Sequence, residues 1–303
     1  MSAFSKAQKI YHSVTPKFVR TGLVPIFTKI HRKIIFKKVI SYLEAKASLS
    51  NEEYKALEYL KKNGLTVFPG NYQDKYKDLN IDIQVDVESG LKYVIHNSKR
   101  LYFKRTMSSE KIHKMYRGLT IEQDPESPHR YTDSLFKIEP KDVVVEAGSA
   151  EASFSLDAVE EASKIYIFET DPLWIEALEH TFKPWGNKVT IFNKFVTSST
   201  GDNSISLDDI VKEYGPIDFV KIDVDGEEMN LLKGFDKTLS DKNTKTKIAI
   251  CTYHKQEDEH MFTQYFKNKS YSSRTTDNYM LFYFDNNFVK PYLRRGVLRA
   301  YKS

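Results

Sequence analysis

Residues 142–156 read Asp-Val-Val-Val-Glu-Ala-Gly-Ser-Ala-Glu-Ala-Ser-Phe-Ser-Leu, and residues 164–172 read Lys-Ile-Tyr-Ile-Phe-Glu-Thr-Asp-Pro. An apolar strand ends at Glu146 and Gly148, a helix follows, and a second strand ends at Glu169, about 20 residues after the glycine. In a nucleotide-binding βαβ unit the glycine lets the backbone approach the ligand, and the distal acid accepts hydrogen bonds from ribose hydroxyls. This stretch therefore predicts an α/β enzyme that holds an adenosine-containing cofactor.

The glycines that are missing narrow the choice of cofactor. A dinucleotide site needs G-x-G-x-x-G, but Ala150 and Glu151 stand in this loop, and we expect Glu151 to repel a phosphate. The chain also has no P-loop sequence. A ligand with a ribose and no phosphate fits best. S-adenosylmethionine is such a ligand, and its sulfonium and amino groups tolerate a carboxylate such as Glu146.

The composition predicts a soluble, globular, cytoplasmic protein. A chain of 303 residues can bury an α/β core and a smaller appendage. Its single cysteine, Cys251, excludes an internal disulfide framework and any cysteine-rich zinc site. No stretch reaches the roughly 20 apolar residues that a membrane helix needs.

The first 43 residues contain nine lysines and arginines and no acid. Interleaved apolar residues recur at helical spacing, so the pattern allows peripheral contact with anionic lipid at the inner membrane face, or with an acidic partner. The alternative is an arm that packs on its own chain or on a neighbouring subunit, which we favour because most surface helices are amphipathic. Nucleic acid is not an expected partner, because no recognised fold or aromatic-basic motif supports it. The oligomeric state is left open.

The chain divides into three predicted parts: a basic helical arm at 1–46, an accessory α+β region at 47–130, and a catalytic domain at 131–303. Ser50 and Glu53 form a capping-box pattern that begins a helix predicted over about 51–63. Alternating residues at 81–87 then predict the first strand of a small antiparallel sheet, and the helix after that sheet is expected to end at Gly118. Later strands are predicted at 142–146, 164–168, 188–192, 217–222 and 247–252, with helices between them, and two last strands near 279–284 and 287–290. This order predicts a doubly wound, mostly parallel sheet with a C-terminal antiparallel hairpin.

Polar residues follow every apolar strand of the predicted sheet. In open α/β sheets the ligand crevice lies beyond the carboxyl ends of the strands, so these residues are the site candidates. The predicted cofactor-binding residues are Glu146, Gly148, Ser149, Glu169, Thr170, Val196 and Ser198. Asp171 is instead expected to cap the helix predicted over 172–182, which begins at Pro172.

Two residues are predicted to be catalytic. An alcohol acceptor must lose a proton as it attacks a methyl group, and a histidine can accept that proton near neutral pH. His254 follows an apolar strand and is the predicted base. Asp223 also ends a strand and is expected to orient the acceptor. In a second hypothesis, the carboxylates of Asp223 and its neighbour Asp225 bind Mg²⁺, although we assign no residue as a metal ligand.

These residues resemble the FkbM family of S-adenosylmethionine-dependent methyltransferases. The resemblance rests on residues 143–156, 165–172, 189–198, 204–210 and 217–234. It implies a class I methyltransferase fold, S-adenosylmethionine as donor, and O-methylation, often of sugars or of polyketide and macrolide hydroxyls. Longer forms similar to this chain are bacterial proteins thought to act in surface-glycan biosynthesis. Three positions depart from the family pattern: Glu146 replaces an Asp, Ala152 replaces a Gly, and Asp225 replaces a Glu.

The sequence therefore predicts an O-methyltransferase that acts on a hydroxyl of a sugar or glycan precursor. One alternative is a metal-dependent nucleotide-sugar glycosyltransferase, because Asp223 and Asp225 mimic its acidic pair. The other alternative is a non-catalytic scaffold whose glycine loop no longer binds a cofactor.

Overall fold

The computed structural model describes residues 17–285 and 287–302, with side chains from Lys29 onward. Its first helix, α1, runs over Lys17–Glu44, so the part of the predicted basic arm before residue 17 lies outside the described residues. No helix in the described ranges is long and apolar enough to cross a membrane.

Helix α2 spans Asn51–Asn63 and begins and ends at the predicted residues. The Ser50 hydroxyl accepts a hydrogen bond from the Glu53 amide at 3.1 Å, and the Glu53 carboxylate accepts one from the Ser50 amide at 3.0 Å. This capping box satisfies two backbone donors that the first helical turn would leave free. Gly64 ends the helix with a φ of +82°.

The accessory region forms a small antiparallel sheet and one helix. The sheet consists of β1 (Gln84–Val85), β2 (Lys92–His96) and β3 (Lys99–Tyr102). The alternating pattern predicted a longer first strand, but Asp86 stops it by accepting the Ser89 amide at 2.9 Å in a turn. Helix α3 spans Ser109–Glu122 and passes through Gly118, where a helix end was expected.

The main sheet confirms the predicted fold class. Its seven strands lie in the order β11-β12-β10-β9-β4-β5-β6, and only β12 runs antiparallel to its neighbours. The strands are β4 (Val143–Ala147), β5 (Lys164–Phe168), β6 (Val189–Phe192), β9 (Phe219–Ile222), β10 (Lys247–Cys251), β11 (Ser272–Thr275) and β12 (Val297–Tyr301).

Helices and short elements connect the strands of the main sheet. The helices are α4 (Ser153–Ala158), α5 (Pro172–Phe182), α6 (Leu207–Tyr214), α7 (Glu228–Lys233), α8 (Asp236–Ser240) and α9 (Asp258–Asn268). The strands β7 (Phe195–Val196) and β8 (Ser204–Ile205) pair with each other beside the sheet. The 3₁₀-helices span Asn71–Tyr76 and Lys183–Lys188.

The C-terminal hairpin exists, but its strands are not where we predicted them. The apolar residues near 279–284 and 287–290 form no strand of the main sheet. They belong to a segment between β11 and β12 that packs on the N-terminal helices, where Leu281 and Leu293 share a buried cluster with Val39 and Leu60. Their apolar character therefore reflects contact with α1 and α2 rather than strand pairing.

The accessory region and the catalytic domain share one hydrophobic core. Phe103 and Ile112 are fully buried in the same cluster as Val144 and Ala177 of the main α/β layer. The predicted boundary at residue 130 therefore crosses continuous packing, and whether it separates independently folding units stays a prediction.

We expect Phe103→Ala to lower the free energy of unfolding by about 3–5 kcal/mol, because it opens a cavity in this shared core. Urea denaturation measures the change. The matched control is Phe284→Ala, since Phe284 is 64% exposed and its loss should cost less than about 1 kcal/mol. Equal effects of the two substitutions would show that the shared core contributes little to stability.

Candidate active site

A cleft of about 550 Å³ opens beyond the carboxyl ends of β4, β5 and β9. This is the edge of the sheet where ligands bind in open α/β folds, and the volume suits a small-molecule ligand. The lining residues are Gly148, Phe168, Glu169, Thr170, Lys194, Phe195, Val196, Thr197, Ser204, Asp223, Val224, Asp225 and Glu227. The structure thus brings together Gly148, Glu169, Thr170, Val196 and Asp223 of the predicted site residues. It places the others behind or beside the cleft wall.

Gly148 forms the tight turn after β4. Its φ is +75°, and a Cβ at this position would lie 1.8 Å from the carbonyl oxygen of Asp223. The backbone of this turn therefore lies so close to the end of β9 that only glycine fits at position 148. This contact brings two walls of the cleft together.

Glu146 lies beneath the glycine turn and does not line the cleft. Its carboxylate accepts the Ser155 amide at 3.1 Å and lies 3.2 Å from the Lys221 ammonium. Lys221 in turn donates to the carbonyl of Gly148 at 2.5 Å. Burial opposes the charge on Lys221, but Glu146 and Asp223 together raise the pKa of its ammonium above the ordinary value. Glu146 is thus placed to hold the turn through Lys221.

Glu169 lies at the cleft and braces the same turn. One carboxylate oxygen accepts the Ala150 amide at 3.0 Å, and the other accepts the Thr170 amide at 2.6 Å. Asp171 caps α5 as predicted, since its side chain accepts the Leu173 amide at 2.9 Å.

Two predicted cofactor residues lie away from the cleft lining. Ser149 is buried, and its hydroxyl has no hydrogen-bond partner among the described residues. Ser198 is exposed. Their roles in cofactor binding stay predictions.

The structure corrects our expectation that Glu151 repels a phosphate at this loop. The side chain of Glu151 is buried away from the cleft and accepts a hydrogen bond from Ser153 at 3.0 Å. Burial raises the pKa of the Glu151 carboxyl to about 7. The argument that the cofactor carries no phosphate therefore rests on the missing glycines alone.

Glu151 should make stability depend on pH. Its folded-state pKa lies above the ordinary value of 4.5, so the folded chain binds more protons and stability falls as pH rises from about 4.5 to 7. Glu151→Gln should raise the free energy of unfolding by up to about 3 kcal/mol near pH 8 and leave it nearly unchanged near pH 4. Urea denaturation across this range tests the expectation, with the exposed Glu179→Gln as control. An equal gain in the free energy of unfolding near pH 4 and near pH 8 would contradict the expectation.

Asp223 is the centre of a buried polar network. The hydroxyls of Tyr131 and Tyr253 each donate to its carboxylate at 3.0 Å. His129 and His254 approach it at 3.6 and 3.7 Å. Burial opposes the charge of Asp223, but the contact with His129 and the nearby positive charges hold the pKa of its carboxyl well below the usual range. Asp223 is therefore an anion at the cleft wall and a poor proton acceptor.

His254 lies directly behind Asp223. Its Nδ1 is 2.8 Å from the Glu228 carboxylate, and its Nε2 is 3.7 Å from both Asp223 and Asp225. Burial alone would lower the pKa of His254, but Glu228 and the two aspartates raise it above its ordinary value. A hydroxyl that reaches Nε2 must lie between the two aspartates.

Two groups in the described part of the chain could hold a metal ion. One joins His129, Asp223 and Cys251, and the other joins Asp223, Glu228 and His254. Neither is the oxygen-only donor set that Mg²⁺ prefers. Mg²⁺ at Asp223 stays a prediction.

Sequence reasoning missed several members of this network. His129, Tyr131, Tyr253 and Glu228 were not among the predicted site residues. Glu228 could have been noticed as the last residue of the Lys-Ile-Asp-Val-x-Gly-x-Glu motif that begins at Lys221. No local pattern distinguishes the two tyrosines from core residues.

The chain matches the model of a known protein family. The family model of the methyltransferase FkbM domain matches residues 98–273. No curated protein matches the chain.

Several solved methyltransferases are similar in structure. The FkbM methyltransferase of Methylobacillus flagellatus KT is 16% identical, with a TM-score of 0.43 over 64% of this chain and 56% of that chain. The match thus spans little more than half of that protein. An rRNA methylase from Streptococcus thermophilus is 13% identical, with a TM-score of 0.37 over 55% of this chain and 88% of that chain. Precorrin-6y C5,15-methyltransferase from Geobacter metallireducens GS-15 is 11% identical, with a TM-score of 0.38 over 66% of this chain and 94% of that chain. At TM-scores this low, none of these similarities bears on the substrate.

Proposed function

The chain belongs to the FkbM methyltransferase family, and from this premise we propose that it transfers the methyl group of S-adenosylmethionine to a hydroxyl of a sugar or glycan precursor. The observation that carries the choice of donor is the cleft, which Gly148 and Glu169 both line and whose first loop lacks the phosphate-binding glycines. The acceptor class rests on the family resemblance and on a histidine placed to take a proton.

Each residue of the cleft has a separate role in the reaction. When bound, S-adenosylmethionine supplies a methyl group activated by its sulfonium. Glu169 receives the ribose hydroxyls, and the turn at Gly148 allows the backbone to approach them. Asp223, held as an anion by His129 and the nearby positive charges, orients the acceptor hydroxyl.

His254 receives the proton that the acceptor hydroxyl loses when its oxygen bonds to the methyl carbon. The carbon–sulfur bond of the donor breaks in the same step, and S-adenosylhomocysteine leaves. The neutral form of His254 is needed for this step, because only an unprotonated nitrogen can accept a proton. The Glu228 carboxylate lies 2.8 Å from Nδ1, and Nε2 lies 3.7 Å from Asp223 and Asp225, which line the cleft. Glu228 is thus a positioning residue.

Titration calorimetry with S-adenosylhomocysteine tests the proposal. Binding without a metal is the expected result, and the same experiment with a nucleotide sugar and Mn²⁺ should show none. The reverse outcome would favour the glycosyltransferase that uses Asp223 and Asp225. Failure to bind either ligand would favour the scaffold.

Glu169→Ala should weaken the binding of S-adenosylhomocysteine by about 1–3 kcal/mol, because the ribose hydroxyls lose their acceptor. Calorimetry measures the affinity, and the exposed Glu179→Ala serves as control. Because Glu169 also braces the turn at Gly148, Glu169→Gln, which keeps an acceptor oxygen, should lose less affinity than Glu169→Ala. Unchanged affinity in Glu169→Ala would remove this residue from the site.

A further inference from the structure

The outward face of α1 carries exposed lysines and exposed isoleucines side by side. This surface, which we call the basic face, consists of Lys29, Ile30, Lys33, Ile34, Lys37 and Lys38. Ile30 is 49% exposed and Ile34 is 47% exposed, whereas Ile35, the next residue, is buried. This surface therefore combines positive charge with half-exposed apolar side chains.

The opposite face of α1 is fixed to the protein. Ile35, Val39 and Leu43 recur every four residues and are buried in one cluster with α2 and the segment before β12. Arg32 donates to the Tyr283 hydroxyl at 3.0 Å and to the Leu65 carbonyl at 2.8 Å. The basic face is therefore held outward by a docked helix.

The charge of the basic face is not balanced. Its four lysines form no ion pair with any residue in the described ranges. The first acid along the chain, Glu44, lies at the far end of α1 and is paired with Lys61 at 2.9 Å. The sequence before Lys29 adds four lysines and arginines and no acid. A partner for this face must therefore be anionic.

We propose that the basic face docks on the surface of an anionic lipid bilayer. Lipid headgroups offer negative charge to the lysines, and the acyl boundary just beneath them accepts the two isoleucines. The phosphates of a nucleic acid would pair with the lysines, but the isoleucines would stay exposed to water. This docking is independent of the reaction proposed above, since no residue of the cleft takes part in it.

Cosedimentation of the full-length protein with lipid vesicles tests the docking. The protein should bind vesicles that contain phosphatidylserine, should ignore vesicles of phosphatidylcholine alone, and should be released as salt rises. Each lysine near such a surface strengthens partitioning about fivefold. Changing Lys29, Lys33, Lys37 and Lys38 to Gln should therefore weaken it by a factor on the order of 10²–10³. Ile30→Ser with Ile34→Ser should weaken it by roughly tenfold.

A matched variant controls for total charge. It changes to Gln four exposed lysines on the catalytic domain: Lys212, Lys242, Lys245 and Lys267. This variant should sediment as the unchanged protein does. Equal binding by the unchanged protein and the basic-face variant would overturn the proposal, as would equal loss in the two lysine variants. Loss of a dimer on Ile30→Ser with Ile34→Ser, without any vesicle binding by the unchanged protein, would assign the face to self-association instead.

Discussion

His254→Ala is expected to lower kcat by about 10²- to 10⁴-fold, the usual contribution of a general base. The affinity for S-adenosylhomocysteine should stay nearly intact, because His254 lies behind Asp223 and does not line the cleft. Turnover is measured on whichever sugar gives the highest rate in a screen of free and nucleotide-linked sugars. Asp223→Asn should damage turnover at least as much, because the acceptor loses its orienting anion.

The pH profile separates a base from a residue that only supports the fold. The pKa of His254 is raised above its ordinary value of 6.5, and the base must be neutral, so kcat should rise with pH through a value above 6.5. Glu228→Gln removes the negative charge that lies beside Nδ1, so it should lower the pKa of His254. The rise of kcat should then occur at a lower pH. Near-wild-type turnover in His254→Ala would place the base elsewhere, with His129 as the next candidate.

Gly148→Ala is expected to lower the free energy of unfolding and to disrupt the cleft. The new Cβ would lie 1.8 Å from the Asp223 carbonyl oxygen, so the turn or the end of β9 must move. The positive φ adds about 1–2 kcal/mol and the overpacking about 1–3 kcal/mol. Affinity for S-adenosylhomocysteine should fall at least about tenfold, since the moved backbone forms the cleft wall.

Gly118→Ala is the matched control for this substitution. Gly118 lies inside α3, and a Cβ there would meet no atom within 4 Å. The same added methyl group should therefore stabilise the protein by about 0.5–1 kcal/mol through helix propensity. If both glycine variants keep full stability and cofactor affinity, the close approach at Gly148 is not needed for the site.

Local patterns predicted those parts of the fold that depend on neighbours in the sequence. The capping box at Ser50, the cap at Asp171 and the bounds of α2 and α5 follow from short-range hydrogen bonds, and the structure has them at the predicted residues. The proximity of Asp223 and His254 also followed from sequence order, because each ends a strand and β9 and β10 are parallel neighbours.

Burial and long-range contacts decided what the sequence patterns could not. The residues near 279–284 and 287–290 have the apolar character of strands, but they pack on α1 and α2, so their conformation depends on helices more than 200 residues earlier in the chain. Likewise, the charge of Glu151 is visible in the sequence, whereas its burial and raised pKa depend on how the loop folds.

The sequence by itself determined the doubly wound sheet, the glycine turn and the strand ends that carry Glu169, Asp223 and His254, because strand period, turn chemistry and parallel order are all local or topological properties. Only the tertiary structure decided the environment of Asp223. Tyr131 reaches it from 92 residues away, and His129 meets Tyr253 across 124 residues. Such contacts set hydrogen bonding and desolvation, and these two effects determine which carboxylate stays charged and which histidine can accept a proton.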